Sequence, residues 1–107
     1  MRHERARAPL KSTRPYGLRL RAHGHEVHAS ASRYADGRLA ELFLDNHKAS
    51  SAIRTLVRDM AIALSFALQH GADAEAIRHA LCRDAQGRPL GPLAVALDLL
   101  CQGELPL

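Results

Sequence analysis

The sequence predicts an α+β domain in which a small three-stranded antiparallel sheet, a meander, packs on a long central helix, with two shorter C-terminal helices completing the core. Three stretches before residue 45 alternate apolar and polar side chains, as half-buried strands do. Short turns separate these stretches, which favours antiparallel pairing between neighbours. Residues 50–71 then repeat apolar side chains at three- and four-residue steps, which is the period of an α-helix.

The predicted strands span residues 16–22, 26–34 and 39–44. Turns at residues 23–25 and 35–37 join them, because Gly and Asp tolerate the backbone conformations that hairpins require. In the third strand, alternation predicts one face of Ala40, Leu42 and Leu44, and a second, partly covered face of Leu39, Glu41 and Phe43.

The central helix is predicted to begin with a cap at Ser50 or Ser51 and to end before Gly71. Its periodic apolar residues define a face that is expected to hold the sheet: Ile53, Leu56, Val57, Met60, Ala61, Leu64, Ala67 and Leu68. The opposite stripe is polar: Arg54, Arg58, Ser65 and Gln69.

Ile62 and Phe66 interrupt the polar side of this helix, one turn apart. Two interpretations stay open. A later helix of the chain covers them, which is the commoner arrangement because monomers rarely expose large apolar patches. Alternatively, they form a subunit interface, which predicts a homodimer.

Two shorter helices are predicted after the central one. Asp73 caps a helix over residues 74–82, whose core contacts are Ile77, Ala80 and Leu81. Pro92 suits the first position of a last helix over residues 93–101. Residues 16–102 therefore form a single domain, between a disordered basic tail (1–15) and a C-terminal tail (103–107).

Charge and composition narrow the classes of function. Residues 1–14 hold five basic residues and one acidic residue, which leaves ten of each sign in the rest of the chain. The net charge of +4 therefore belongs to the tail, which could contact nucleic acid or an acidic partner. No uncharged apolar run is long enough to span a bilayer, and no signal-peptide pattern occurs, so a cytoplasmic protein without membrane contact is expected.

Motifs for chemistry are few. The segment His23-Gly24-His25-Glu26-Val27-His28 lacks the HExxH spacing of a zinc site, so no metal is predicted. Cys82 and Cys101 both fall in apolar helical patterns, which predicts buried free thiols. No nucleophile motif or matched acid–base pair is present, so neither catalytic nor cofactor-binding residues are assigned. The best candidate site is the loop before the central helix, where Lys48, Ser50 and Ser51 could bind an anion or nucleotide; simple capping by Ser50 is the alternative.

The order of these motifs resembles the TSCPD domain family. The resemblance covers roughly residues 16–100 and is strongest in DGRLAELFLD, KASS, SFALQHGADAEAIRHAL and GRPLGPLAVALDLL. Such domains occur at the C-terminal end of adenosylcobalamin-dependent ribonucleotide reductases and as small stand-alone bacterial proteins. This chain departs from the family in Ala49, where relatives often have Gly, and in lacking the Cys-Pro-Asp element that gives the family its name.

The resemblance implies a link to ribonucleotide reduction but not the reaction itself, because the chain is too short to hold the reductase barrel. The first hypothesis is a non-catalytic accessory or interaction domain, which acts as a homodimer or with a ribonucleotide reductase subunit. The alternative is a nucleotide or nucleic-acid binding module that uses the Lys48 loop and residues 1–14.

Overall fold

The structure is a computed structural model that describes residues 14–22 and 24–102, and for His25 it describes the backbone alone. Six elements follow one another: β1 (Tyr16–Ala22), β2 (His25–Arg33), β3 (Leu39–Asp45), α1 (Ser51–Gln69), α2 (Ala74–Ala80) and α3 (Pro92–Cys101). This order confirms the predicted α+β class. The predicted C-terminal tail, His23, and all but the last two residues of the predicted basic tail lie outside the described residues.

The sheet is an antiparallel meander with the strand order β1-β2-β3. Its register aligns Leu20 with Val27 and Ala31 with Leu42, so the alternating apolar side chains share one face. This core face is buried and includes Leu20, Ala22, Val27, Ala29, Ala31, Ala40, Leu42 and Leu44. The opposite side, which we call the outer face, carries Gly17, Arg19, Arg21, Glu26, His28, Ser30, Ser32, Glu41, Phe43 and Asp45.

A register shift near the second hairpin corrects one prediction. Ser32 pairs with Glu41, but its neighbour Arg33 pairs with Leu39, so Ala40 is an extra residue in β3. Such a bulge interrupts the alternation of side chains. Leu39 therefore belongs to the buried core and not to the face of Phe43, contrary to the strict alternation that the sequence suggested.

The ends of α1 follow the sequence prediction. Ser50 is the N-cap, and its Oγ accepts a hydrogen bond from the backbone N–H of Ile53 at 3.3 Å. Two residues after the helix, Gly71 has a φ of 98°, in the left-handed region that residues with a side chain rarely adopt. The start and the end of the helix are thus set by local chemistry.

The face that α1 turns toward the sheet agrees with the predicted face at Val57, Ala61, Leu64 and Leu68, and differs from it at three other positions. The buried residues of the helix are Val57, Ala61, Leu64, Ser65 and Leu68. Ile53 and Leu56, which were predicted to hold the sheet, are 48% and 64% exposed. Ser65, which was assigned to the opposite polar stripe, is buried.

The backbone of β3 explains why Ser65 is buried. Leu42 N–H donates to Ser65 Oγ at 3.0 Å, and the same hydroxyl donates to the Leu42 carbonyl at 2.9 Å. β3 is an edge strand, so its outward N–H and C=O groups need partners when they are buried. Three residues of the polar stripe, Arg54, Ser65 and Gln69, therefore bond to β3, while Ile53 and Leu56 of the apolar stripe are left in solvent.

The C-terminal helices complete the core. Asp73 caps α2, as predicted, by accepting a bond from Glu75 N–H at 3.1 Å. However, α2 ends at Ala80, and Cys82 is exposed, because the Cys82 carbonyl accepts a bond from Leu90 N–H across the turn at residues 83–89. α3 begins at Pro92, as predicted, and buries Leu93, Ala94, Ala96, Leu97 and Leu100. None of the helices in the described part of the chain is long and apolar enough to cross a membrane.

We expect Ser65→Ala to lower the free energy of unfolding by about 1–3 kcal/mol, because it leaves a buried N–H and a buried C=O of Leu42 without their partner. Urea denaturation followed by circular dichroism measures this loss. Thr55→Ala, on the exposed side of the same helix, is the matched control and should change stability little. Equal stability of the two variants would show that the hydroxyl does not fix the helix on the strand.

Candidate interaction surface

The loop before α1 places the three predicted anion ligands differently. Ser50 Oγ is engaged in capping the helix, whereas Lys48 and Ser51 are exposed. The loop itself is held by Asn46, which is buried and whose carbonyl accepts a bond from Ala49 N–H at 3.1 Å. Lys48 and Ser51 are therefore accessible at the start of α1, while Ser50 caps the helix, as the alternative interpretation of this loop predicted.

A charged cluster that the sequence analysis did not identify lies beside this loop. Arg54 donates to Asp45 through Nε at 2.7 Å and through Nη2 at 3.1 Å. The hydrogen bond from Arg54 is the main reason that the pKa of Asp45 lies below its usual value. His47 Nδ1 lies 3.1 Å from Arg54 Nη2, and its ring meets His28 edge-on, with 5.0 Å between centroids. The cluster joins the loop to the outer face of the sheet.

Strand register was the signal that could have located this cluster. His28 of β2 pairs directly with Asp45 of β3. Counting residue pairs outward from the turn at residues 35–37 predicts that His28 lies near the end of β3. The bulge at Ala40 then shifts the predicted partner of His28 by one residue. Arg54 was missed for another reason, because it was assigned to a solvent-facing stripe.

An exposed apolar patch is formed by one residue of the outer face and two residues of α1. Phe43, Ile62 and Phe66, which we call the outer patch, are 43%, 42% and 59% exposed. Phe43 and Ile62 line one open cavity of about 410 Å³ with His28, Ser30, Asp45 and Arg58. The prediction that a later helix of the chain covers Ile62 and Phe66 is wrong, because α3 packs against β1, α2 and α1 and yet leaves both side chains exposed.

Helix α1 has a second exposed apolar flank, formed by Ile53 and Leu56. Ile53 precedes Ile62 by nine residues, which places them about 180° apart around a helix that turns by about 100° per residue. The outer patch and the Ile53 flank are therefore separate surfaces, and only the outer patch adjoins the outer face of the sheet.

The thiols and histidines form no evident reactive centre in the described chain. Cys82 and Cys101 are both free thiols, and burial raises the pKa of Cys101, which disfavours its nucleophilic thiolate. Among residues 14–22 and 24–102, no group of three or more His, Cys, Asp or Glu side chains could hold a metal ion. The side chains of His23 and His25, two of the three clustered histidines, lie outside what the structure describes.

A second charged cluster is structural. Asp98 of α3 accepts hydrogen bonds from Arg78 Nη1 at 2.8 Å and from Arg83 Nη2 and Nη1 at 2.8 and 2.9 Å. The Arg83 bonds are the largest cause of a pKa for Asp98 of about 2, below its usual value of 3.8. The three residues tie α2, the turn at residues 83–89 and α3 together.

Comparison with known proteins relates about half of the chain to one class of enzyme. Over 48 residues, which are 45% of the chain, it is 46% identical to a vitamin B12-dependent ribonucleotide reductase of Bradyrhizobium diazoefficiens. Over 52 residues, or 49% of the chain, it is 40% identical to a vitamin B12-dependent ribonucleotide reductase of Agrobacterium fabrum.

These matches concern a small part of each reductase. The aligned segment spans 4% of the length of either relative. No family model matches the chain, and no solved structure matches it significantly. The chain therefore contains a segment related to vitamin B12-dependent ribonucleotide reductases.

We expect Asp98→Asn to lower the free energy of unfolding at pH 7 by about 1–2 kcal/mol, because it removes a largely buried carboxylate whose pKa the bonds from Arg83 and Arg78 hold at about 2. Because the folded pKa lies below the unfolded one, the stabilisation is complete above pH 4 and is lost as the pH falls toward 2. Urea unfolding of wild type and of Asp98→Asn at pH 7, 5, 4, 3 and 2 measures this contribution to the free energy of unfolding.

The matched control for this measurement is Asp59→Asn, which removes an exposed carboxylate from α1. The stability difference between wild type and Asp98→Asn should shrink between pH 4 and pH 2. A difference that stays constant over this range would contradict the assigned role of the carboxylate charge.

Proposed function

We propose that this protein is a non-catalytic interaction domain, related to a segment of vitamin B12-dependent ribonucleotide reductases, that binds a partner through the outer patch. The observation that carries the proposal is the joint exposure of Phe43, Ile62 and Phe66 beside an open cavity. Exposed apolar side chains that are grouped on one surface mark sites of protein association.

The charged groups support a binding role over a catalytic one. The carboxylates of Asp45 and Asp98 are each held by arginine in an ion pair. Both pKa values are lowered, whereas a general base that works near pH 7 needs a raised one. These groups therefore serve as structural links.

The partner that we propose is a second copy of the chain or the reductase to which its sequence is related. A two-fold interface would bring the outer patches of two copies together, so that the outer patch of each copy covers that of the other. The sequence relation to ribonucleotide reductases supports the second partner. In either case the outer patch is the contact surface.

We expect the double variant Ile62→Ser, Phe66→Ser to lose association, because it replaces two exposed apolar side chains of the outer patch with polar ones. Light scattering should give wild type twice the chain mass of 11.7 kDa, and the variant a single chain mass. Where wild type is a single chain, binding to purified vitamin B12-dependent ribonucleotide reductase from the same organism is measured instead.

The matched control is Ile53→Ser, Leu56→Ser, which makes the same chemical change on the opposite flank of α1 and should retain association. Circular dichroism verifies that both variants fold. Association that is equally weakened by both pairs, or that neither pair changes, would contradict the outer patch as the contact surface.

A second candidate function, nucleotide or nucleic-acid binding, has one observation in its favour. Lys48 and Ser51 are exposed at the start of α1, and the first turn of that helix contains no acidic residue. Helix N-termini favour anions, so a phosphate at this position would be stabilised.

We expect any such binding to weaken with salt, and Lys48→Ala to lower the slope of log affinity against log salt by about 1, because one phosphate contact is lost. Fluorescence anisotropy with labelled single-stranded DNA, RNA and a nucleoside triphosphate measures it. The full chain, a chain without residues 1–14 and the control Arg88→Ala separate the loop from the basic tail. If none of these probes binds the full chain at low salt, this candidate is excluded.

A further inference from the structure

The directions of the backbone hydrogen bonds show that β1 presents a bonding edge. Leu42 directs its N–H and C=O away from β2, to Ser65. In antiparallel sheets these directions alternate from residue to residue, and paired residues either exchange both bonds or neither. Ala31 pairs with Leu42 and therefore bonds to Tyr16 of β1, so the bonded positions of β1 are Tyr16, Leu18, Leu20 and Ala22. The N–H and C=O groups of Gly17, Arg19 and Arg21 consequently point outward.

The two edges of the sheet differ in whether their outward backbone groups are covered by another element. At the β3 edge, Ser65 of α1 bonds both outward groups of Leu42. At the β1 edge, the three outward-directed residues Gly17, Arg19 and Arg21 are all exposed. β1 is seven residues long, pairs with β2 without a register shift and contains no proline. Edges of this kind accept an additional strand.

The charges on β1 select among the strands that could be added. Arg19 and Arg21 lie on the outer face, directly next to the position of an added strand. The side chain of Arg19 is 72% exposed, and its Nη1 lies 3.7 Å from Glu26 Oε2. Arg21 Nη1 donates to the Gly24 carbonyl. Opposite charges on directly paired residues stabilise a sheet, and like charges destabilise it.

A second copy of β1 fits this edge poorly. Antiparallel pairing of two β1 strands about a two-fold axis at Arg19 places the two Arg19 side chains directly opposite each other. Like charges at a paired position oppose association. An added strand with carboxylates at these positions instead forms a cross-strand ion pair with each arginine.

We propose that the β1 edge binds an extended acidic segment of a partner protein as a fourth strand. The segment carries acidic residues opposite Arg19 and Arg21 and small apolar residues on the core side, next to Leu18, which is only half-buried. Backbone bonds to Gly17, Arg19 and Arg21 supply affinity, and the alternation of acidic and apolar side chains supplies selection. This edge is separate from the outer patch.

The test uses the full chain and an eight-residue peptide in which valine alternates with glutamate, with a matched peptide that has lysine in place of glutamate. We expect the acidic peptide to bind at least about tenfold more tightly, from two opposite-charge pairs in place of two repulsive ones. Amide hydrogen exchange should slow at Gly17, Arg19 and Arg21 when the acidic peptide is bound.

Two variants establish the mode of binding. Arg19→Glu, Arg21→Glu should reverse the preference to the lysine peptide, whereas the control Arg88→Glu, at the turn of residues 83–89, should keep it. Arg19→Pro should abolish binding, because it removes an outward N–H while the bonds of Leu18 and Leu20 to β2 are retained. Circular dichroism verifies its fold, and the charge-reversed pair tests the proposal independently of it.

Equal binding of the two peptides, no binding of either, or slowed exchange elsewhere than β1 would overturn the proposal. Slowed exchange at Gly17, Arg19 and Arg21 on self-association without peptide would overturn it in favour of a second copy. The Ile62→Ser, Phe66→Ser variant should bind the acidic peptide as wild type does, so failure of the outer-patch proposal and failure of this one are distinguishable.

Discussion

The contact between the Ser65 hydroxyl and the backbone of Leu42 fixes how the rest of the molecule is arranged. An edge strand that is covered by a helix must find partners for its outward peptide groups. One hydroxyl serves both groups of Leu42, and this places Ser65 in the core, where an apolar residue would otherwise pack. Every other side chain of α1 is then oriented by the helical period, including the exposed Ile62 and Phe66.

The amino-acid sequence was sufficient to predict the strands and helices, but not which residues of β3 and α1 face the core. Alternation, helical periodicity and caps at Ser50 and Asp73 placed three strands and three helices nearly where they lie. The hydrophobic pattern of α1 predicted most of its buried face, but not the burial of Ser65 or the exposure of Ile53 and Leu56, because the pattern reports where apolar side chains are and not which polar groups the neighbouring strand needs. The bulge at Ala40 inverted the position of Leu39 for a similar reason, since the register depends on a partner strand.

At the candidate site, too, local sequence identified some residues, whereas others depend on how the strands and helices pack. Lys48 and Ser51 were singled out from local sequence as candidate anion ligands, and both are exposed, while the binding itself stays a prediction. The group of Asp45, His47 and His28 joins the end of β3 to β2 through the strand register, with Arg54 of α1 bonded to it, and no local motif marks it. Ile62 and Phe66 stood out because they break a polar side, but only the packing of α3 in the core showed that the chain leaves them exposed.

The unequal edges of the sheet limit how the domain can assemble. A sheet that offered both edges could add copies of itself without end, as fibrils do. Here α1 occupies the β3 edge at Leu42, so one side of every sheet is closed to a further strand. Two sheets joined at β1 would present only closed edges, and a single partner strand at β1 would saturate the sheet. The helix that completes the core thereby also sets an upper limit on the size of any assembly built through strands.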